Sequence, residues 1–242
     1  MFVFDLSVVE FALAFGVVVL GAFAQGVVGF GLALLIGPLL NLIAPVFLPG
    51  PVVLLVLVIT STMAYNGRHD VNVDGVKRSL GGYLLGTMVA AALVSSLPQR
   101  ETSFLLGGLI LLAVGMSLLG IRLPATRAVL FSAGTVGGFM GTISGVGLPP
   151  LALALQNEPG PRLRGTLACV GFFSIIMAII ALVFVGKIGL REAGLAMALA
   201  PAVLVGFAIS TRVSSRFDAG YTRPAVFLLS ALSALLLIYR NW

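Results

Sequence analysis

The stretch GFMGTISGVGLPPL, Gly138 to Leu151, lies within a run so apolar that it would otherwise read as one continuous helix. Its core, SGVGLPP from Ser144 to Pro150, holds two glycines and two adjacent prolines. Glycine weakens a helix interior by ~1 kcal/mol and proline by ~3 kcal/mol. A break at this place therefore needs a reason. A second copy supplies part of it: AFAQGVVGFGLALL, residues 22–35, can be laid on 138–151 so that Phe23 meets Phe139, Gly29 meets Gly145 and Gly31 meets Gly147. Farther on, Asn66-Gly67-Arg68 falls against Val185-Gly186-Lys187, and LLGT at 84–87 falls near LVGF at 204–207. The chain reads as a tandem duplication, 1–122 and 123–242, the two halves forming one membrane domain.

The medium in which these breaks sit follows from composition. Hydrophobic residues make up 60% of the chain, charged residues only 9%, and the mean hydropathy is +1.17. Soluble domains carry ~25% charged residues, so this composition defines an all-α polytopic membrane protein. The N-terminus, MFVFDLSVVEF, has no basic residue before its apolar run, and that run is expected to belong to the mature chain. The net charge of +6 is no sign of nucleic acid, because the Lys and Arg lie in short connections between apolar runs. Cys169 has no partner for an internal disulfide, and His69 sits in a polar loop without a neighbouring ligand, so neither a metal nor a cofactor is expected.

Apolar runs bounded by turn and charge signals give ten segments, roughly 8–24, 31–43, 51–65, 80–96, 103–120, 126–142, 148–156, 163–185, 190–211 and 222–239. A crossing needs ~20 residues, so 31–43 and 148–156 read as half-helices, each following a glycine-broken junction. Each half is then a glycine-broken helical hairpin plus three transmembrane helices. Two topologies compete. If each broken pair returns to its own side, Arg68, Lys77, Arg78, Arg122, Arg127, Arg162, Arg164, Arg212, Arg216 and Arg223 share one side, against Arg100, Lys187, Arg191 and Arg240. If each pair is one bent crossing, the cations split almost evenly. Cytoplasmic loops are enriched in Lys and Arg, which favours the hairpin, with the two halves as inverted repeats.

Non-helical backbone inside hydrocarbon is tolerated only where it is buried in protein or lines a wet cavity, and matched breaks in inverted halves point to a transporter's central site. Glycine lets amides converge without a side chain in the way, and the following helix start favours an anion. Pro149 fits the first helical turn, where its missing N–H costs nothing. Small residues also serve helix packing alone, which is the alternative for a single GxG. A nucleotide loop is excluded, since no strand precedes the glycines and no lysine follows. Gln25, Thr142 and Ser144 flank the breaks, Gln156 ends the second half-helix, and Arg164 stands at the start of an apolar run, where a guanidinium either forks onto an anion or snorkels to the interface. Thr60 and Asn66 come from the segment after the first hairpin, with Thr60 expected to be satisfied by its own backbone. No Asp or Glu falls mid-segment, which argues against a proton relay and, with no base available, against an intramembrane hydrolase. The protein is not expected to be an enzyme.

At GVVGFGLALLIGPLL, GGFMGTISGVGLPPLALALQ, GPRLRGTL and PGPVVLLVLVITSTMAYNGR the chain resembles the TauE/SafE, or sulfite exporter, family along nearly its whole length. The resemblance implies a multi-pass protein of the bacterial inner membrane that exports, or sometimes imports, small sulfur-containing anions such as sulfite or organosulfonates. The implied substrate site is Gln25 with Gly29, Phe30 and Gly31, then Ser144, Gly145, Val146, Gly147 and Pro149, then Gln156 and Arg164. Leu148 departs from the glycine that the family often carries there. The expected partners are a small anion and lipid; the coupling ion, proton or sodium, and the oligomeric state stay open. A passive anion channel and a non-transporting scaffold are the alternatives, and Arg164→Ala or Gly145→Val is expected to abolish flux if the transporter reading holds.

Overall fold

A computed structural model describes residues 6–28, 32–119, 123–213 and 219–242. These residues form ten α-helices and one short 3-10 turn: α1 (Val8–Val28), α2 (Leu32–Ile43), α3 (Gly50–Gly67), α4 (Val73–Ser96), α5 (Gln99–Leu119), α6 (Arg127–Ser144), α7 (Pro149–Leu155), α8 (Gly160–Phe184), α9 (Leu190–Val213) and α10 (Ala219–Asn241). One helix stands for each apolar segment of the sequence. Among the described residues, seven helices are long and apolar enough to cross a membrane. The exposed apolar side chains confirm the medium: Leu84, Leu85, Met88 and Val89 on α4, and Leu228, Leu232 and Leu236 on α10, face outward. Faces of this kind belong in lipid.

Side-chain caps set several helix starts, and one of them carries its helix well into polar sequence. Asn72 accepts from the Gly75 amide at 3.0 Å and starts α4 at Val73, inside the polar connection ahead of residue 80. Thr126 caps α6 in the same way at 3.3 Å. Ser7 and Glu10 form a reciprocal capping box, the Ser7 amide donating to Glu10 at 2.8 Å and the Glu10 amide to Ser7 Oγ at 3.2 Å. Glu10 thereby serves a helix start at the edge of the apolar zone rather than its middle.

The two short helices lie inside. On α2, Leu32, Leu34, Ile36 and Leu40 are buried, and on α7 so are Leu151, Ala154 and Leu155. At 12 and 7 residues, or about 18 and 10 Å, neither spans a bilayer, and the longer helices cover them. Each packs back on the helix before it. A β-carbon at Gly21 of α1 would meet Leu32 and Ile36 of α2, and the Gly147 segment returns against Gly137 and Gly141 of α6. Both broken pairs are therefore hairpins.

Four helix pairs have a definite sense. α3 and α8 run antiparallel, with Gly67 against Gly165 and Thr60 against Gly171. α5 and α10 are also antiparallel: Phe104 stacks edge-on to Trp242 at 6.5 Å, and Gly107 meets Ile238 and Ala234. α4 runs parallel to α6, Ser79 facing Gly134 and Gly86 facing Thr135 and Phe139, while α1 runs parallel to α9, Val19 facing Gly206 and Gly26 facing Ser210. The α4–α6 contact is so close that a β-carbon at Gly82, Gly86, Gly134 or Gly138 would overlap backbone of the opposite helix.

These contacts also sort the cations. Gly67 lies on Gly165, and Asn72 donates to Glu158 at 2.8 Å, so Arg68, Arg162 and Arg164 share one end of the bundle. At the other end Gly50 meets Lys187, Arg100 donates to the Asn241 carbonyl and Arg240 to that of Leu42.

Candidate functional site

The second break is shaped by its glycine. Gly145 closes α6 with φ 73° and ψ 0°, the left-handed region open to glycine at little cost, and its amide bonds back to the Gly141 carbonyl at 2.8 Å. Ser144, fully buried, donates to the Met140 carbonyl at 2.8 Å and accepts from the Val146 amide at 3.2 Å. The carbonyl of Gly147 accepts from the hydroxyl of Tyr83, itself 1% exposed on α4. Pro149 and Pro150 open α7 and have no amide hydrogen to satisfy.

Two donors are left. Among the described residues, neither the Gly147 nor the Leu148 amide has a protein acceptor. The peptide between them is trans, so its N–H points opposite to its carbonyl. The carbonyl is turned to Tyr83 and Gly137, so the Leu148 N–H is turned away from that hydrogen bond.

Beside this segment lies a cavity of about 60 Å³. It is framed by Gln25 and Ala33 of the first hairpin, by the α6 stretch Gly137 to Thr142 and Gly145 to Pro149 of the second, and by the middles of α3, α4 and α8. Val56 and Thr60 sit near the middle of α3, Tyr83 and Thr87 near that of α4, and Gly171 and Ser174 near that of α8, so the cavity is central along the long helices. The hairpin tips pass each other here: Gly145 lies against Ala33, Val52 and Val56, and Gly37 near the Ser144 carbonyl.

Among the expected site residues, Gln25, Gly145, Val146, Gly147 and Pro149 line this cavity, and Ser144 buttresses it from behind. Gln25 lies within α1, where it clasps the first hairpin: its Oε1 accepts from the Leu32 amide at 2.9 Å and its Nε2 donates to Met63 sulfur at 3.3 Å. Gly29, Phe30 and Gly31 lie outside the described residues. Gln156 and Arg164 are not brought into the cavity. Gln156 caps the far end of α7 and donates to the Leu153 carbonyl at 2.9 Å. Arg164 is exposed in the second turn of α8, seven residues from Gly171, a rise of about 10 Å. Asn66 is likewise exposed at that end, while Thr60 donates to the Val56 carbonyl at 2.8 Å as its helical setting demands.

Reading the breaks alone misses Tyr83, Thr87 and Ser174. The hydroxyl of Thr142, fully buried, lies 3.2 Å from Thr87 and bonds Gly138 O at 2.8 Å. The signal for Tyr83 was present in SLGGYLLGT: a tyrosine in an apolar run between small residues must find a partner for its hydroxyl.

An all-helical bundle with lipid-facing surfaces and two buried broken hairpins defines a multi-pass membrane protein. The family model described as sulfite exporter TauE/SafE matches residues 13–237, and the chain belongs to that family. No curated protein and no solved structure matches it.

Proposed function

We propose that the protein is a secondary transporter that exports a small sulfur-containing anion across a bacterial inner membrane, with its binding site in the central cavity between the two hairpins. The observation that carries this reading is the pair of unpartnered amides at Gly147 and Leu148 beside a small cavity in the middle of the bundle. Both residues are half-buried, and an anion in the cavity satisfies two such donors with charge-assisted hydrogen bonds, which are roughly twice as strong as neutral ones. The helix-start term expected at Pro149 contributes little, because α7 has only 7 residues.

Antiparallel packing of α3 on α8 and of α5 on α10, with parallel α4–α6 and α1–α9, supports two inverted repeats, 1–122 and 123–242. A two-fold axis in the membrane plane relates helices in this sense, and one along the membrane normal does not. Transport then proceeds by rocking of one group of helices against the other around the fixed site. Arg164, exposed at the more basic end, draws anions toward that end of the bundle rather than holding them at the centre. The test is a thermal-shift screen of purified protein with sulfite, thiosulfate, sulfoacetate, taurine, acetate and phosphate. A ligand held at the site raises the melting temperature in proportion to its occupancy, and no response to any anion would contradict the proposal.

A further inference from the structure

We infer that the central cavity takes a small oxyanion carrying a single charge, and that the proton a membrane carboxylate would otherwise carry crosses on the substrate itself. The inference rests on the anion site proposed above and goes on to name the charge state of its ligand.

The first ground is the absence of countercharge. No described residue lining the cavity is Lys, Arg, His, Asp or Glu, and Gly29, Phe30 and Gly31, which join α1 to α2, bring none by sequence. Tyr83 is the one titratable side chain among the described lining residues, and its proton is committed to the Gly147 carbonyl. The other titratable groups on the packed elements stand away from the cavity: Glu10 at the start of α1, Tyr65 and Arg68 at the end of α3, Asp74 to Arg78 at the start of α4, Arg127 at the start of α6, and Arg162 and Arg164 at the start of α8. Cys169, partly buried on α8, is not a lining residue. The cost of removing an ion from water rises with the square of its charge, so a dianion costs about four times as much as a monoanion. Without a fixed cation, amide dipoles offset the smaller cost and not the larger.

The second ground is size. A cavity of about 60 Å³ has room for a few atoms and not for an anion with its water shell. The ligand must arrive largely dehydrated, which again favours the lower charge.

The third ground is the division of donors and acceptors. The Gly147 and Leu148 amides offer donors to an anionic oxygen. The hydroxyl protons of Thr60 and Ser174 are committed to the carbonyls of Val56 and Gly171 at 2.8 and 3.0 Å, so these oxygens present lone pairs. Such a site suits a ligand that accepts on one side and donates a hydroxyl on the other. Hydrogensulfite has that form, and sulfite does not. A substrate that carries its own proton also accounts for the absence of Asp and Glu from the middle of the described spans.

The test is calorimetric binding to purified protein at a series of pH values bracketing the second ionisation of sulfurous acid. Methanesulfonate serves as a permanent monoanion and sulfate as a dianion over the same range. The apparent affinity for total sulfite is expected to fall about tenfold per pH unit above that ionisation, following the monoanion fraction. Methanesulfonate binding should not change with pH, and sulfate should not compete. Sulfite affinity that is flat or rises with pH, or sulfate binding as tightly as methanesulfonate, overturns the single-charge inference while leaving an anion site. No binding by any of the three at any pH overturns both.

Discussion

Tyr83 of α4 donates its hydroxyl to the carbonyl oxygen of Gly147, the residue at which the chain turns back along α6. One hydrogen bond thus ties a continuous helix to the broken segment and fixes the plane of the peptide whose amide belongs to Leu148. Tyr83→Phe keeps the ring and removes the tie. Anion affinity is expected to fall about tenfold, with a stability loss of roughly 1–3 kcal/mol from the orphaned carbonyl. Binding isotherms and melting curves on the same preparation separate the two. Unchanged affinity would show that the peptide plane is held by other contacts.

Gly145 is constrained twice. Its φ of 73° disfavours any side chain by roughly 1–2 kcal/mol, and a β-carbon would stand 3.0 Å from Ala33 and 3.3 Å from Val52 and Val56. Gly145→Ala is expected to weaken binding and lower stability moderately. Gly145→Val, with two more methyl groups aimed at the other hairpin, is expected to abolish anion flux. Radiolabelled sulfite uptake into proteoliposomes measures both.

Glycines elsewhere divide by surroundings. Gly82, Gly86, Gly134 and Gly138 form the seam of α4 on α6, and Gly134→Leu is expected to prevent a stable fold, seen as loss of a monodisperse peak in detergent chromatography. Gly108 and Gly115 on α5 have nothing within 4 Å of where a β-carbon would stand. Alanine at either is expected to be neutral or stabilising by up to about 1 kcal/mol. Matched melting curves check the contrast.

Arg164 separates capture from binding. Because it is exposed and lies outside the cavity lining, Arg164→Ala is expected to leave the equilibrium affinity of purified protein within about twofold, rather than abolish transport as its place in the sequence suggests. The rate of flux should fall several-fold at low ionic strength and approach the parent's at high salt, where exposed charges are screened. A large loss of affinity in detergent would place the guanidinium at the ligand.

Much of this architecture was legible because hydrophobic length and glycine punctuation are local signals. Each of the ten helices answers to an apolar run, and the twin breaks before Leu32 and at Gly145 stand out against runs that need no glycine. The start of α4 was less visible, since Asn72 acts through a single side-chain bond within a polar connection. The side-chain wall of the site was the least legible part. Tyr83 and Ser174 reach the cavity only through the packing of α4 and α8 on the hairpins, a long-range relationship with no local mark. Arg164, close in sequence to the second break, is carried away from it because α8 restarts at Gly160 with its second turn exposed. Gln25 stands beside the first break in the sequence, and its bond to the Leu32 amide gives it a structural part there.

The central claim is a carrier site between the hairpins, and counterflow tests it most directly. Proteoliposomes loaded with unlabelled sulfite are placed in a trace of labelled sulfite, for the parent protein, Gly145→Val and Gly115→Ala. A carrier gives saturable uptake with a transient overshoot in the parent and in Gly115→Ala, and none in Gly145→Val. Uptake linear in concentration without an overshoot, or full counterflow in Gly145→Val, would contradict it.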